Sequence, residues 1–476
     1  MSGDLYRLAM SVLHPGFEGT SAPDWLRRAL GEGLGGVVLF ARNAIGAPLI
    51  RQLRAENPDV VVAIDEEGGT VTRLEVEAGS SFPGNRALGV VDDVKLTERV
   101  GRQIGRMLAD LDITLNYAPS ADVNADPANP VIGVRSFGPT AELVARHTVA
   151  YVAGVQGAGV AACAKHFPGH GDTVSDSHLA LPTVHATRDV LDQRDLPPFR
   201  AAIGAGVRAV MTGHLLVPAL DPAAPATLSR AAVTELLRGE LGFGGMVVTD
   251  AIDMRAVAAL HDPGELAVRA LAAGVDAICV GIITEDGLRE MREAVVAAVR
   301  GGVLPEERLA EAAGRVRALA AWYAARSGLR GQARRDVDRV VGLEVARAAL
   351  TTAGAARLDR GPLVLEVNTR LSQAVDPLTP TVITAALTAR LPDTAMLRIG
   401  PDGQLPPFDD RPVVLVVHDA ARHAWVRDVV ARAVAVRPDA IVVDTGIPDE
   451  PAGAAHVATH GISRASARAA AEWLTR

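Results

Sequence analysis

Short apolar runs that end at a polar or charged residue recur through the N-terminal part of the chain, too far apart to be joined as hairpins, and this recurrence fixes the fold class. Seven such runs lie at 35–40, 60–64, 113–117, 160–164, 208–212, 245–249 and 273–280. Asp65, Lys165 and Asp250 follow three of them directly, and His214 lies two residues past another. Helix-period sequence precedes the first run at about 24–32, fills gaps between runs at about 93–111 and 141–156, and follows the last run at about 285–300. Strands that are apolar on both faces are buried on both faces, and strands joined through helices pair in parallel. Seven visible strand–helix units, with an eighth not clearly delimited, predict an α/β fold, a (β/α)8 TIM-like barrel over residues 1–340. A doubly wound sheet is the alternative. Hydrophobic residues make up 49% of the chain but aromatics only 3%, so Ala, Val and Leu fill the core, as in buried parallel strands and their covering helices.

Sequence rich in Ala and Arg, helical in pattern from about 305 to 325 and on to 350, leads to a different arrangement. Short buried strands at 363–367, 413–418 and 440–443, separated by helical segments, predict a smaller α/β sandwich domain over 355–476, entered near Arg360-Gly361-Pro362. It carries no polar cluster comparable with that of the first domain, and its expected role is packing or a partial pocket rim.

The net charge of −8 offers no basic surface for nucleic acid or for acidic membranes. Cys163 and Cys279 each lie inside an apolar run and read as buried thiols rather than a disulfide. The N-terminus lacks a basic segment followed by an apolar core, and no uncharged apolar run of about 18 residues occurs. A cytoplasmic protein is expected.

Residues 165–178 read Lys-His-Phe-Pro-Gly-His-Gly-Asp-Thr-Val-Ser-Asp-Ser-His. Pro168, Gly169 and Gly171 exclude a helix through the segment. Its histidines, aspartates and lysine therefore belong to a loop at the C-terminal end of a strand, where β/α proteins assemble active sites. Burying so many polar groups without function is costly. His166, His170, Asp172, Asp176 and His178 are metal-ligand types, but Pro-Gly interrupts the His166/His170 spacing and removes the helical face of a zinc peptidase motif, so no metal is assigned. Asp65-Glu66-Glu67-Gly68-Gly69, with Arg73 soon after, forms a second polar strand end; a capped turn is its alternative reading. Residues 126–138, which include Arg135, show no periodicity, and a loop of that length in a compact domain is usually functional.

A retaining glycosidase needs a nucleophilic carboxylate and a proton donor on either side of the glycosidic bond. Asp250, the last residue of Gly-Met-Val-Val-Thr-Asp, is the nucleophile candidate, with an N-cap role as the alternative. Taken with the stretches 64–69, 122–138, 165–182, 211–214, 225–229 and 241–254, the sequence resembles the glycoside hydrolase family 3 β-N-acetylglucosaminidases that recycle peptidoglycan fragments. The resemblance covers about residues 1–340 and is weaker beyond. It implies a covalent glycosyl-enzyme on Asp250, with His178 as general acid and then base, and Asp176 orienting His178. Asp65, Arg73, Arg135, Lys165 and His166 would bind the sugar. Glu66 stands where many relatives have glutamine. A carboxylate beside an imidazole favours the imidazolium needed to protonate a leaving oxygen. The implied activity is retaining exo-β-N-acetylglucosaminidase action on muropeptides or related glycosides, with no cofactor and a small carbohydrate as the partner. A phosphorylase, a β-glycosidase of other sugar preference and an inactive sugar-binding protein are the alternatives.

Overall fold

The computed structural model describes residues 2–173, 181–333, 337–367, 374–376, 379–380 and 382–476. They form two compact units. The first comprises Met1–Glu66, Thr97–Val123 and Thr140–Val337; the second comprises Glu67–Leu96, Asn124–Pro139 and Asp338–Arg476. The grouping thus differs from a single division near 340–355, because two interior segments group with the C-terminal residues.

Eight parallel strands organise the first unit: β1 (Leu13–Pro15), β2 (Gly36–Leu39), β3 (Val61–Ile64), β4 (Leu115–Asn116), β5 (Ala161–Phe167), β6 (Ala209–Thr212), β7 (Met246–Thr249) and β8 (Ile278–Val280). Ladders join β2 to β7 in chain order and β8 to β1, and a bridge between Val248 and Ala277 carries the sheet from β7 to the start of β8. The result is a curled parallel sheet. Between β1 and β2 the described residues form no ladder, although a side chain on Gly36 would meet the His14 ring at 2.6 Å. Part of the reason lies in β1 itself, a three-residue strand ending in Pro15, which has no N–H to donate. The strand missing from the sequence reading is therefore this one, at the N-terminus rather than after the seventh.

Alternate residues of the strands point to one interior. Ala161 and Cys163 of β5, Ala209 and Met211 of β6, and Met246 and Val248 of β7 cluster with Val38, Ala63, Tyr117 and Cys279. Val316, Leu319 and Ala320 of the helix Glu306–Ala324 join the same cluster. Small alanines at three of the strand positions let the sheet curl tightly around this core. Among the described residues no helix is long and apolar enough to cross a membrane.

In the second unit β9 (Thr351–Gly354), β10 (Leu363–Val367), β11 (Ala395–Ile399), β12 (Val413–Val417), β13 (Ile441–Asp444) and β14 (Ala455–Ala458) form one sheet in the order β11-β10-β12-β13-β14-β9. All its pairings are parallel except β9 against β14. Leu365, Leu415 and Val442 face the helix Ala424–Val436, while Val364, Val414, Ile441 and Val443 face the helices Val382–Thr388 and Arg464–Leu474. Period-two burial on both faces is what a parallel sheet covered by helices requires. The segment 67–96 is held inside this unit by Ile462 N–H to Thr70 Oγ1 (3.4 Å), by Arg464 to Glu75 (2.8 Å), and by Gly342, where an added Cβ would lie 2.1 Å from the Ser81 carbonyl.

Candidate active site

The described candidate side chains of the first unit stand at the carboxyl ends of its strands. Asp65 follows β3, Lys165 and His166 lie near the end of β5, and Asp250 follows β7. Strand β5 runs through Phe167, so Lys165 and His166 stand on the strand and not, as the sequence indicated, on the loop. Pairing explains the extension. Cys163 N–H bonds Ala118 O (2.9 Å), Lys165 N–H bonds Pro119 O (3.2 Å) and Ala121 N–H bonds Lys165 O (2.6 Å).

Lys165 is 2% exposed, and its ammonium lies 2.6 Å from Asp65 Oδ1. A buried ammonium and a carboxylate at this distance neutralise each other's desolvation cost and fix Asp65 at the rim, 19% exposed. His166 Nδ1 lies 2.8 Å from Oδ2 of Asp122, whose side chain is fully buried. Burial works against the Asp122 carboxylate, yet the His166 and His170 contacts outweigh it and hold the group below its usual range. His170 Nδ1 in turn lies 2.8 Å from Thr173 Oγ1.

Asp250 Oδ1 accepts the Ala251 N–H at 2.8 Å, and the next residue's carbonyl is held by His214 Nε2 at 3.0 Å. The His214 Nδ1 meets Thr227 Oγ1 at 2.9 Å, so this histidine ties the β6 end to the turn after Asp250. The helix that follows, Arg255–Ala258, begins after Met254, so Asp250 does not cap it. Asp65 and Asp250 both act electrostatically on the buried Tyr117 hydroxyl, which burial chiefly, and these charges with it, push well above its usual range. Two carboxylates therefore share the neighbourhood of Tyr117 at the top of the curled sheet.

Arg73 and Arg135 belong to the second unit. Arg73 donates to the Ala374 carbonyl at 3.0 Å. Arg135 is buried and grips Glu67 with two nitrogens, Nη2 to Oε1 at 2.7 Å and Nε to Oε2 at 3.1 Å. The loop carrying it is stitched internally. Asn129 Oδ1 accepts the Val131 and Ile132 N–H groups, Asn124 Oδ1 accepts that of Gly133, and Asn85 Nδ2 donates to the Arg135 carbonyl at 2.7 Å. Glu66 is buried, with its backbone bonded on both sides to the Asn116 amide. Asp176 and His178 lie outside the described residues.

Asp122 and Glu67 escaped the sequence reading of the site, although both fall inside or beside stretches that carried the resemblance. A third omission is in the second unit. His418 and Asp419, just past β12, line a small cleft with Arg135 and with Arg422, which pairs with Asp419 at 2.8 Å. Asp419 sits at φ 50°, a left-handed conformation uncommon for a residue other than glycine.

Residues 25–319 match the model of the glycosyl hydrolase family 3 N terminal domain. The chain is 39% identical over 270 residues to the beta-hexosaminidase A of Pseudoalteromonas piscicida, a match covering 51% of this chain and 45% of that protein. It is 36% identical over 298 residues to the beta-hexosaminidase of Chromobacterium violaceum, covering 60% of this chain and 81% of the relative. A solved glycoside hydrolase family 3 beta-N-acetylglucosaminidase from Paenibacillus sp. strain FPU-7 superposes with a TM-score of 0.87 at 35% identity, covering 99% of this chain and 96% of that one. The chain spans less than half of the Pseudoalteromonas relative but nearly all of the Paenibacillus structure. With the family match running through β2 to β8 and into the helix Glu306–Ala324, and with the strand-end carboxylates inside it, this chain belongs to glycosyl hydrolase family 3.

Proposed function

We propose that this protein is a retaining exo-β-N-acetylglucosaminidase that releases terminal β-linked GlcNAc from muropeptides or related glycosides through a covalent intermediate on Asp250. The observation that carries the reading is the set at the strand ends: Asp250 after β7, with Asp65 paired to Lys165, and His166 paired to Asp122. The relatives named beta-hexosaminidase and the beta-N-acetylglucosaminidase structure support the choice of sugar.

In this reading the first unit works as a (β/α)8 barrel, and the C-terminal part as an α/β sandwich domain. Asp250 attacks the anomeric carbon and the leaving oxygen takes a proton from His178, which Asp176 orients. A water then gives its proton back to His178 as it displaces Asp250, so the configuration is retained. Asp65, Arg73, Arg135, Lys165 and His166 bind the sugar; the two carboxylate oxygens of Asp65 accept two hydroxyls, and the Lys165 ammonium holds that carboxylate in place. A cytoplasmic setting is part of the proposal, consistent with Cys163 and Cys279 being buried thiols.

The test compares aryl β-GlcNAc with aryl β-glucoside, with and without phosphate. Preferential cleavage of the GlcNAc glycoside with retention at C1, followed by NMR, is the expected result. Turnover of the glucoside alone, or an inverted product, would overturn the reading.

A further inference from the structure

Asp122 makes more contacts than a single ring would need. Its Oδ1 accepts the His166 N–H at 3.1 Å and the His170 N–H at 2.7 Å. Its Oδ2 accepts the Ser120 hydroxyl at 2.8 Å and faces His166 Nδ1 at 2.8 Å. A fully buried carboxylate is costly unless donors surround it, and here they come from both the 118–122 segment and the end of β5. An ionised carboxylate has no proton to give, so the contact with the ring requires the proton to sit on His166 Nδ1. The other ring nitrogen, Nε2, is then the one that a sugar hydroxyl would meet. The His166 and His170 rings meet edge to face, with centroids 6.0 Å apart, so the same anion holds one ring directly and the other through its backbone N–H.

We infer that Asp122 is a positioning residue for the reaction, locking His166 with its proton on Nδ1 and its Nε2 presented to a sugar hydroxyl, while its backbone bonds to His166 and His170 hold the start of the loop against the strand end. The functional half of this inference rests on the reading of His166 as a sugar-binding residue. The tautomer half stands on the geometry alone.

The experiment uses the full chain labelled with [15N]histidine. Long-range proton–nitrogen spectra of the wild type are expected to show His166 with Nδ1 protonated. In Asp122→Asn the carbonyl keeps the backbone N–H groups and the amide NH2 faces the ring, so the proton moves to Nε2. With an aryl β-GlcNAc glycoside, kcat/KM should then fall about 10- to 100-fold, mainly through KM, the size expected when a hydrogen bond is lost and its buried partner is left unsatisfied. His166→Ala should cost a similar factor, and the double variant no more than His166→Ala alone, because both changes remove one interaction. A wild-type His166 protonated only on Nε2 would overturn the inference without any variant having to fold. So would Asp122→Asn with an unchanged KM, or losses that multiply in the double variant. An unchanged KM in His166→Ala would instead remove the sugar-binding reading of His166 and leave the spectroscopic result to judge the tautomer.

Discussion

Replacing Glu67 by Ala isolates how much the Arg135 loop depends on one buried pair. The side chains of Glu67 and Arg135 are 3% and 6% exposed, and two hydrogen bonds of 2.7 and 3.1 Å join them. Unit charges about 4 Å apart attract by about 4 kcal/mol at an effective dielectric of 20. Removing one partner of a buried pair costs about 3–5 kcal/mol, because the other charge stays buried without its counter-ion. Glu67→Ala should therefore destabilise the second unit by about that amount, whereas Glu67→Met combined with Arg135→Met should recover most of it, since two apolar side chains of similar volume leave no charge stranded. A chain with two units need not unfold in one step, so the measurement is hydrogen exchange by mass spectrometry on peptides spanning 124–139, alongside urea unfolding. In the proposed reading Arg135 also binds the sugar. The single variant should then raise KM, and the double variant should restore exchange protection but not KM. If Glu67→Ala changed stability by less than about 0.5 kcal/mol, the size of an ordinary surface substitution, the pair would not hold the loop and the reasoning would fail.

Burial, with Asp419 and Asp449 nearby, pushes the Asp444 carboxyl up to about 7, and its Oδ2 has no hydrogen-bond partner among the described residues. A carboxyl raised in the folded state binds its proton more tightly there than in the unfolded chain, so its contribution to stability is lost as pH rises from about 4 to 7. Asp444→Asn removes that loss and should gain stability relative to wild type between pH 5 and pH 8, as read by urea unfolding; a constant difference across that range would contradict it. His178→Ala should slow glycosides with poor leaving groups far more than activated aryl ones, since only the former need the proton; equal slowing across a leaving-group series would refute the acid role. An imidazolium that has given up its proton is neutral and does not repel an anionic acceptor, so phosphate should compete with water for the glycosyl-enzyme and yield some sugar 1-phosphate. Product NMR in phosphate buffer showing free sugar alone would refute this.

The strands legible in the sequence were those buried on both faces. Runs such as 36–39 and 61–64 are apolar throughout and tolerate no other placement. Of the unseen ones, β14 is buried throughout, but His456 breaks its apolar run, and the others are short or mostly exposed. Leu-His-Pro of β1 is three residues long, and β9 and β11 are edge strands whose residues are mostly exposed or half-buried. The helix-period stretches were found to within a residue or two, because their apolar faces repeat over several turns. In the site, Asp65, Lys165 and Asp250 could be picked out because each sits at or just past the end of a buried run. Asp122 and Glu67 could not, since their partners lie 44 and 68 residues away and no local pattern joins an acid to a distant ring or guanidinium. The same limit applies to the grouping of 67–96 and 124–139 with the C-terminal residues, which arises from tertiary contacts such as Arg464 with Glu75.

The central claim is that Asp250 forms a bond to the sugar. Incubating the full chain with an activated fluorinated GlcNAc glycoside slows breakdown of the intermediate and lets it accumulate, so that peptide mass spectrometry can locate the added sugar. The account predicts a single sugar on the peptide containing Asp250, with Asp250→Ala both unlabelled and inactive. A label on any other residue, or full activity in Asp250→Ala, would contradict it.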